Sequence, residues 1–451
     1  MSNDIKITKG LDIKLKGEAE KTTEKAILSN FYTIRPDDFH GVTPKLILKQ
    51  GAKVKAGEPL FYDKSDDAVK FVSPVSGEII DIPRGAKRKI LSIKIQADKV
   101  QTFVDYGKFD VAAASAEELK RHLLTSGCWP FIKQRPYDII AKTDRTPKDI
   151  FVSGYATAPL AADLDFVLKG KEKELQAAIT ALGKLTDGTV HVSVGNNSNS
   201  PFAGLSGIIL HKVSGPHPAG NVGTQINKIN PVNKGEVVWT IAAQDLVIIG
   251  ELLLTGKFNA ERVVALVGSS VKKPRYFVTK IASEIATMVY DNGVEKNGND
   301  RIISGNVLSG KELKPDGYLD YYSNVITVIP EGNDYEFFGW NKPVFNKISM
   351  TRALTFSWLT PNKKFALNTN TNGEHRAFVL TGNYEQVFPL DIYPMQILKA
   401  CMYQDLDEME ALGMYEVAPE DFALTEFVCV SKQPHQAIIR KGLDVMMKEI
   451  G

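Results

Sequence analysis

The segment His40–Phe61, HGVTPKLILKQGAKVKAGEPLF, limits what this chain can fold into more than any other stretch. Gly51 and Gly57 punctuate short aliphatic and β-branched runs, with Val54 between them. Glycine reaches positive φ without the steric cost of a Cβ, so the spacing predicts strand, tight turn, strand and turn. Beyond Phe61, Pro74 opens PVSGEI, a second glycine-bearing turn that leads into a strand.

Such a pair of halves resembles a barrel-sandwich domain, the fold of lipoyl and biotinyl carriers. Ile5–Ile7, Leu11–Leu15, Leu46–Lys49, Lys70–Val72, Glu78–Ile82 and Ile90–Ile95 read as its strands, separated by Gly, Pro and Asp turns. The domain is expected over residues 1–103. Asp63-Lys64 sits where carrier domains present a modified lysine on a hairpin tip. A lipoyl- or biotinyl-lysine at Lys64 is one reading. The preferred reading is an exposed lysine beside Asp66 and Asp67, because the dipeptide alone specifies little. The basic run Arg84, Lys87, Arg88, Lys89 either touches a partner or solvates a turn.

At 451 residues the chain exceeds what one core can fill, so about three domains are expected. Its 43% hydrophobic and 24% charged residues are those of a soluble globular protein. Lys and Arg total 55 against 53 acidic residues, which gives no basic footprint for a nucleic-acid partner. Cys128, Cys401 and Cys429 lie far apart without a CxxC pair, which argues against disulfide scaffolding and cysteine-ligated clusters and fits a reducing compartment. His191, His211 and His217 lack metal-ligand spacing, and no metal site is expected. The polar N-terminus shows no signal peptide. Val237–Gly256 is the most apolar stretch, but Gln244, Asp245 and Glu251 interrupt it, whereas a membrane span needs about 20 apolar residues. A soluble chain that docks on a membrane partner is the expectation.

Ser115 followed by Glu118 is a capping-box signature for a helix through Leu124. The segment SGCWPFIKQRPYD (Ser126–Asp138) follows, and after it IFVSGYATAPLAADL (Ile150–Leu164) opens with an apolar strand. A helix over Lys171–Leu185 and the strand Thr189–Val194 complete a parallel α/β unit, whose ligand belongs at the carboxyl ends of its strands. Neither GxGxxG nor GxxxxGK[ST] occurs, so NADH or nucleotide binding by this chain is not expected. The glycines of Val194–Gly207 are wrongly spaced for phosphate and read as a surface loop. His211–Gly235 crowds Gly215, Pro216, His217, Pro218, Gly220 and Gly223 together, which fixes the backbone and permits close approach.

Taken in order, HGVTPKLILKQGAKVKAGEPLF, PVSGEI, FVSGYATAPLAAD, GPHPAGNVGTQI, RIISGNVLSG, FGW, NGEHRAFVLTGNYEQVFPLDIYP and FVCVSK resemble the A-subunit family of the bacterial Na+-translocating NADH:quinone reductases. The similarity runs over essentially the whole chain. It implies an α/β multidomain protein: a barrel-sandwich domain (1–103), a Rossmann-like α/β domain (104–255), a β-grasp, SLBB-like domain (256–345) and a C-terminal helical domain (346–451). Strands Arg275–Thr279, Arg301–Ser304 and Val325–Ile329 around a helical Glu284–Tyr290 suit the third. Pro394–Leu412 and Gln436–Ile450 carry helical periodicity in the fourth, and Pro419–Asp421 begins a further short helix.

The resemblance further implies a peripheral subunit on the cytoplasmic side of the bacterial inner membrane. Its partners would be five other subunits, chiefly a membrane subunit, in a complex that couples quinone reduction by NADH to Na+ export. Architectural relatives, the flavin subunit of respiratory complex I and the C subunit of the Rnf complex, hold flavin on a glycine-rich loop and a cluster on spaced cysteines. Here Trp129 and Phe131 stand in the glycine-loop place and only Cys401 and Cys429 remain in the C-terminal region. No cofactor and no independent catalytic site are expected in this chain; flavin and iron–sulfur centres belong to other subunits.

The aromatic and basic group Trp129, Phe131, Arg135 and Tyr137 is the candidate quinone-binding cluster, since aromatic faces sandwich a ring and a guanidinium polarises a carbonyl. The other reading makes it the first loop of the α/β domain or a subunit interface. His217 joins the candidates as a proton carrier or carbonyl donor, against a histidine pinned between prolines for loop shape. A pure assembly scaffold without ligand is the rival function.

Overall fold

In the computed structural model, residues 4–25, 29–296, 298–333, 337–339, 345–352, 354–379 and 382–451 are described. Trp340 of the FGW motif and Leu380-Thr381 of the NGEHRAFVLTG run lie outside them. The described residues form four sheets.

Two small sheets face each other as the barrel sandwich. One runs Phe31–Ile34, Ile93–Ala97, Gly77–Asp81, Lys53–Val54; the other runs Pro44–Leu46, Pro59–Asp63, Lys70–Val72, with antiparallel pairing throughout. Phe61 and Phe71 stack at 4.5 Å and Phe39 lies 4.4 Å from Phe71, filling the space between the sheets. The opening glycine pattern has a steric cause. Gly57 takes φ +88°, and a Cβ on Gly77 of PVSGEI would stand 2.0 Å from the Gln96 carbonyl oxygen of the neighbouring strand.

The strands of this domain begin at Phe31, and the first 25 residues serve other sheets. Asp4–Lys6 adds as a parallel edge to Ile208–Ser214 of the α/β sheet, where Ile7 is buried against Val213 and Ala219. The expected strand Leu11–Leu15 is absent: only Leu15 makes a single bridge, to Phe365. Ile13 and Leu15 are instead anchored by burial against Val387 and Leu424. Glu20–Lys25, fully exposed, pairs in parallel with Arg275–Lys280. Alternating β-branched residues specify a strand but not its sheet; the partner edge does that.

The α/β domain holds a seven-stranded sheet in the order Asp4–Lys6, Ile208–Ser214, Val190–Gly195, Asp149–Ser153, Val238–Ala242, Lys133–Arg135, Ile139–Ile140. The first five are parallel, Lys133–Arg135 runs against Val238–Ala242, and Ile139–Ile140 turns back against Lys133–Arg135. Ile150 and Val152 point to the face covered by helices Glu172–Leu182 and Ala243–Thr255, while Phe151 meets Ile226 of helix Val222–Ile229 on the other. From Asp149–Ser153 the chain steps outward to Val190–Gly195 and Ile208–Ser214, then crosses back to Val238–Ala242 on the opposite side. That reversal opens a crevice at the carboxyl ends of the two central strands. The apolar stretch 237–256 is this last strand and its helix, buried in the domain core. No helix among the described residues is long and apolar enough to cross a membrane.

The third domain is a six-stranded sheet, Lys311–Leu313, Asp300–Ser304, Val325–Pro330, Glu261–Val267, Arg275–Lys280, Glu20–Lys25, with Ala286–Tyr290 packed on its core. In the C-terminal region the run expected as one helical stretch, Pro394–Leu412, divides into Pro394–Tyr403 and Leu406–Ala411. Gln404 adopts φ +57° and Asp405 caps the second helix by accepting the Glu408 N–H at 3.1 Å, so the chain turns there. Helix His435–Glu449 closes the domain, whose apolar cluster also takes in Tyr137 and Ile139.

Candidate functional site

At the crevice lies a cavity of about 360 Å³. Its floor is the strand Lys133–Arg135, and one wall is the loop Ser153–Ala158 together with Gly220–Val222. The turn Thr240–Asp245 forms the other wall; Tyr322 and Asn324 of the third domain and Glu420 of the C-terminal domain complete it. Three domains therefore build one site.

Each sequence candidate can be placed against it. Phe131 lies at the cavity base, 1% exposed, stacked between Phe258 at 6.2 Å and Tyr321 at 5.4 Å. Trp129 does not reach the cavity lining. Its indole is buried edge-on to Trp239 at 5.3 Å and donates from Nε1 to the Ala141 carbonyl at 2.8 Å. An aromatic sandwich by Trp129 is thereby replaced by a structural role, because the buried indole is held against Trp239 and its N–H is already engaged.

Arg135 lines the cavity but is committed elsewhere. Nη1 donates to Asp421 Oδ2 at 2.6 Å and to the Glu416 carbonyl at 2.8 Å, and Nη2 lies 3.2 Å from Glu420 Oε1. The guanidinium ties the α/β domain to the C-terminal domain. Tyr137 packs into the C-terminal apolar cluster, outside the cavity, and its carbonyl accepts from Arg440 Nη1 at 2.7 Å. His217 stands one layer behind the wall: its Nδ1 is 3.1 Å from the hydroxyl of Thr157, which accepts the Gly220 N–H at 2.9 Å and itself lines the cavity. The His217 backbone N–H donates to Asp12 at 2.9 Å, and burial lowers its imidazole to about 4, so it is neutral near pH 7.

The polar groups that do face the cavity were not singled out from sequence. Lys133 sits beside Arg135 on the same strand face, with Nζ 4.5 Å above the Tyr322 ring and 4.0 Å from Asp138. Burial opposes ionisation of Asp138, but Lys133 and Arg135 overcome it and hold its carboxyl below the usual range. Tyr322 donates its hydroxyl to the Pro130 carbonyl at 2.7 Å. Gln244 exchanges two hydrogen bonds of 3.0 Å with the Val263 backbone, and Asp245 pairs with Arg262 with both side chains buried. Their one sequence signal was the polar interruption of an apolar stretch at Gln244 and Asp245. At Glu420, desolvation and the neighbouring Asp421 raise the carboxyl to about 7, although the side chain keeps part of its surface exposed.

The segment in the flavin-loop place does not fit a flavin phosphate. Gly127, at φ +75°, approaches the barrel domain instead, and a Cβ there would lie 2.4 Å from Val72 Cγ1. The next residues form a 3-10 turn, Trp129–Phe131, whose three side chains are buried and fill the space. Among the described residues no group of three His, Cys, Asp or Glu side chains is placed to hold a metal, and Cys128, Cys401 and Cys429 are buried and free.

Residues 5–98 match the family described as the NqrA N-terminal barrel-sandwich hybrid domain, residues 114–258 the NqrA second alpha/beta domain and residues 263–314 the NQRA C-terminal domain. The A subunit of the Na(+)-translocating NADH-quinone reductase of Neisseria meningitidis serogroup B is 38% identical over 449 residues, 99% of this chain and all of the relative. That of Histophilus somni strain 2336 is 36% identical over 448 residues, 99% of this chain and all of the relative. Among solved structures, an NAD+-reducing [NiFe]-hydrogenase in the air-oxidized state aligns over 51% of this chain and 52% of its own, at TM-score 0.33 and 11% identity, too distant to carry an argument.

Proposed function

The chain belongs to the A-subunit family of the Na+-translocating NADH-quinone reductases, and from that membership we propose that it is a cofactor-free, quinone-side subunit on the cytoplasmic face of the membrane complex. Family membership makes it one subunit of a multi-subunit enzyme that couples quinone reduction by NADH to Na+ translocation. The observation that carries the quinone reading is the cavity at the crevice. Its apolar base, closed by Phe131 with the ring stacked on protein partners, and its aromatic wall at Tyr322 suit a flat ring, and Lys133 on its floor is the cation for a carbonyl oxygen that gains negative charge on reduction. In this role Lys133 takes the place assigned to Arg135. A cofactor-free subunit is supported by the filled turn Trp129–Phe131 and by Gly127 approaching Val72.

The experiment is photo-crosslinking of a quinone analogue to the assembled complex, with Lys133→Met beside the wild type. Label on peptides containing Phe131 or Tyr322, together with a quinone KM raised about tenfold in the variant, is expected. Labelling confined to other subunits overturns the quinone reading.

The Arg135 geometry favours the second reading, assembly scaffold. A guanidinium bonded to the Glu416 carbonyl and to the Glu420 and Asp421 carboxylates holds two domains in register, with its charge met inside the protein. On that reading Trp129→Ala and Arg135→Ala disturb complex assembly while the quinone KM stays unchanged.

A further inference from the structure

From Phe337 to Gly373 the sequence carries five lysine or arginine residues, seven aromatic residues and no aspartate or glutamate. The whole chain is only +2, so the rest of it is net acidic and positive charge is concentrated in this stretch. Several large apolar side chains there are turned to water: Phe337 is 89% exposed, Phe345 70%, Trp358 60% and Leu359 61%, whereas Phe365 is buried. Large apolar side chains exposed together mark a surface that something covers.

These residues share one surface. Lys363 places Nζ 6.0 Å from the centre of the Phe345 ring, and its backbone N–H bonds the Thr360 carbonyl at 3.1 Å, next to Leu359 and Trp358. The Asn346 side chain clasps the Ala366 backbone at 2.7 and 3.3 Å. Lys347 reaches the Gly339 carbonyl at 3.4 Å, which brings Phe337–Gly339 against the same loop. In sequence the stretch is flanked by Asp334, Glu336 and Glu374, and Glu18 is neutralised by Lys364 at 2.8 Å.

Charge and ring chemistry together select the occupant. Tryptophan and phenylalanine settle at the headgroup level of a bilayer, where apolar and wet surroundings meet, and adjacent lysines and arginines are drawn to anionic phosphates. The described backbone here consists of turns, the short 3-10 helix Leu354–Leu359 and one bridge at Phe365, so it offers no strand edge for a partner chain to extend. Membership of a Na+-translocating complex puts a bilayer beside the molecule. We propose that this aromatic and basic surface rests on anionic lipid, with Phe337, Phe345 and Trp358 at headgroup depth and Arg352 and Lys363 facing phosphate.

Flotation of the purified full-length chain with phosphatidylglycerol–phosphatidylethanolamine vesicles tests this, with phosphatidylcholine vesicles as the neutral control. The chain is expected to float with the anionic vesicles, to stay behind with the neutral ones, and to be released by high salt. The double variant Arg352→Gln, Lys363→Gln is expected to lower partitioning about tenfold. Phe337→Ser, Phe345→Ser, Trp358→Ser is expected to lower it by a similar factor with the thermal midpoint of the chain preserved. No flotation of the wild type, or equal flotation of wild type and both variants, overturns the proposal. So does a result in which the variants detach from native complex membranes while the wild type ignores anionic vesicles, since that assigns the surface to an acidic protein partner.

Discussion

Arg135 shows how far a single residue can be read. Its strand and its approach to the cavity follow from the sequence around it, but its partner Asp421 lies 286 positions away and is set by domain packing. A buried guanidinium and a buried carboxylate, 3% and 0% exposed at their side chains, hold each other because neither has water to turn to. Arg135→Ala is therefore expected to cost about 3–5 kcal/mol, measured by denaturant unfolding of the full chain, because it strands Asp421 in the interior. Adding Asp421→Asn removes the stranded charge and should recover part of that loss. If the double variant is no more stable than Arg135→Ala alone, the ion pair is not what joins the domains. Trp129 and Phe131 were legible as blockers of a glycine loop, whereas Lys133 and Tyr322 were not, since a lysine in a short strand carries no mark of the cavity it faces.

At the scale of elements, local chemistry was readable and partner choice was not. Ser115 caps helix Ala116–Thr125 through the reciprocal bonds to Glu118 that the sequence pattern requires. Of the first 25 residues only Ile5–Ile7 and Leu11–Leu15 read as strands, whereas the structure has Asp4–Lys6 and Glu20–Lys25, and which sheets these join depends on edges far along the chain. The hairpin tip bearing Lys64 is a middle case. The lysine is exposed between Pro59–Asp63 and Lys70–Val72, as in a carrier, but the loop around it is tied down. The Lys64 N–H bonds the Thr43 carbonyl at 2.8 Å, Asp63 holds the Ser65 N–H at 3.1 Å, and Asp66 takes the Thr143 hydroxyl of the α/β domain. A swinging prosthetic group needs a tip free to move, and these bonds hold this one in place. Intact mass of the native protein is expected to equal that of the unmodified chain; an added lipoyl or biotinyl mass on the Lys64 peptide would restore the carrier reading.

Across the whole molecule, three buried histidines lie in three different places and titrate in one direction. His211 is in the α/β sheet beside His191, His217 is behind the cavity near Asp12, and His435 is under the C-terminal helices against Thr425. Burial lowers each to about 4 from the ordinary value near 6.5. Because the folded-state values are depressed, the unfolded chain binds more protons between pH 6.5 and 4, and stability falls as pH drops through that window. Glu420, raised to about 7 but partly exposed, pulls the other way, as do Asp245, Glu251 and Glu416, whose carboxyls burial raises. Burial lowers His122 and His191 as well, so five histidines outnumber these carboxylates in the window from pH 7 to 5.5. The unfolding free energy of the full chain should therefore decline between pH 7 and 5.5, by up to about 1.4 kcal/mol per pH unit for each histidine that takes a proton only on unfolding. Replacing His217 by Gln removes one such group, so its denaturant-derived stability should fall less steeply over the same range. A variant that matches the wild-type slope means that His217 takes up its proton without unfolding, and the wall behind the cavity is then open to water.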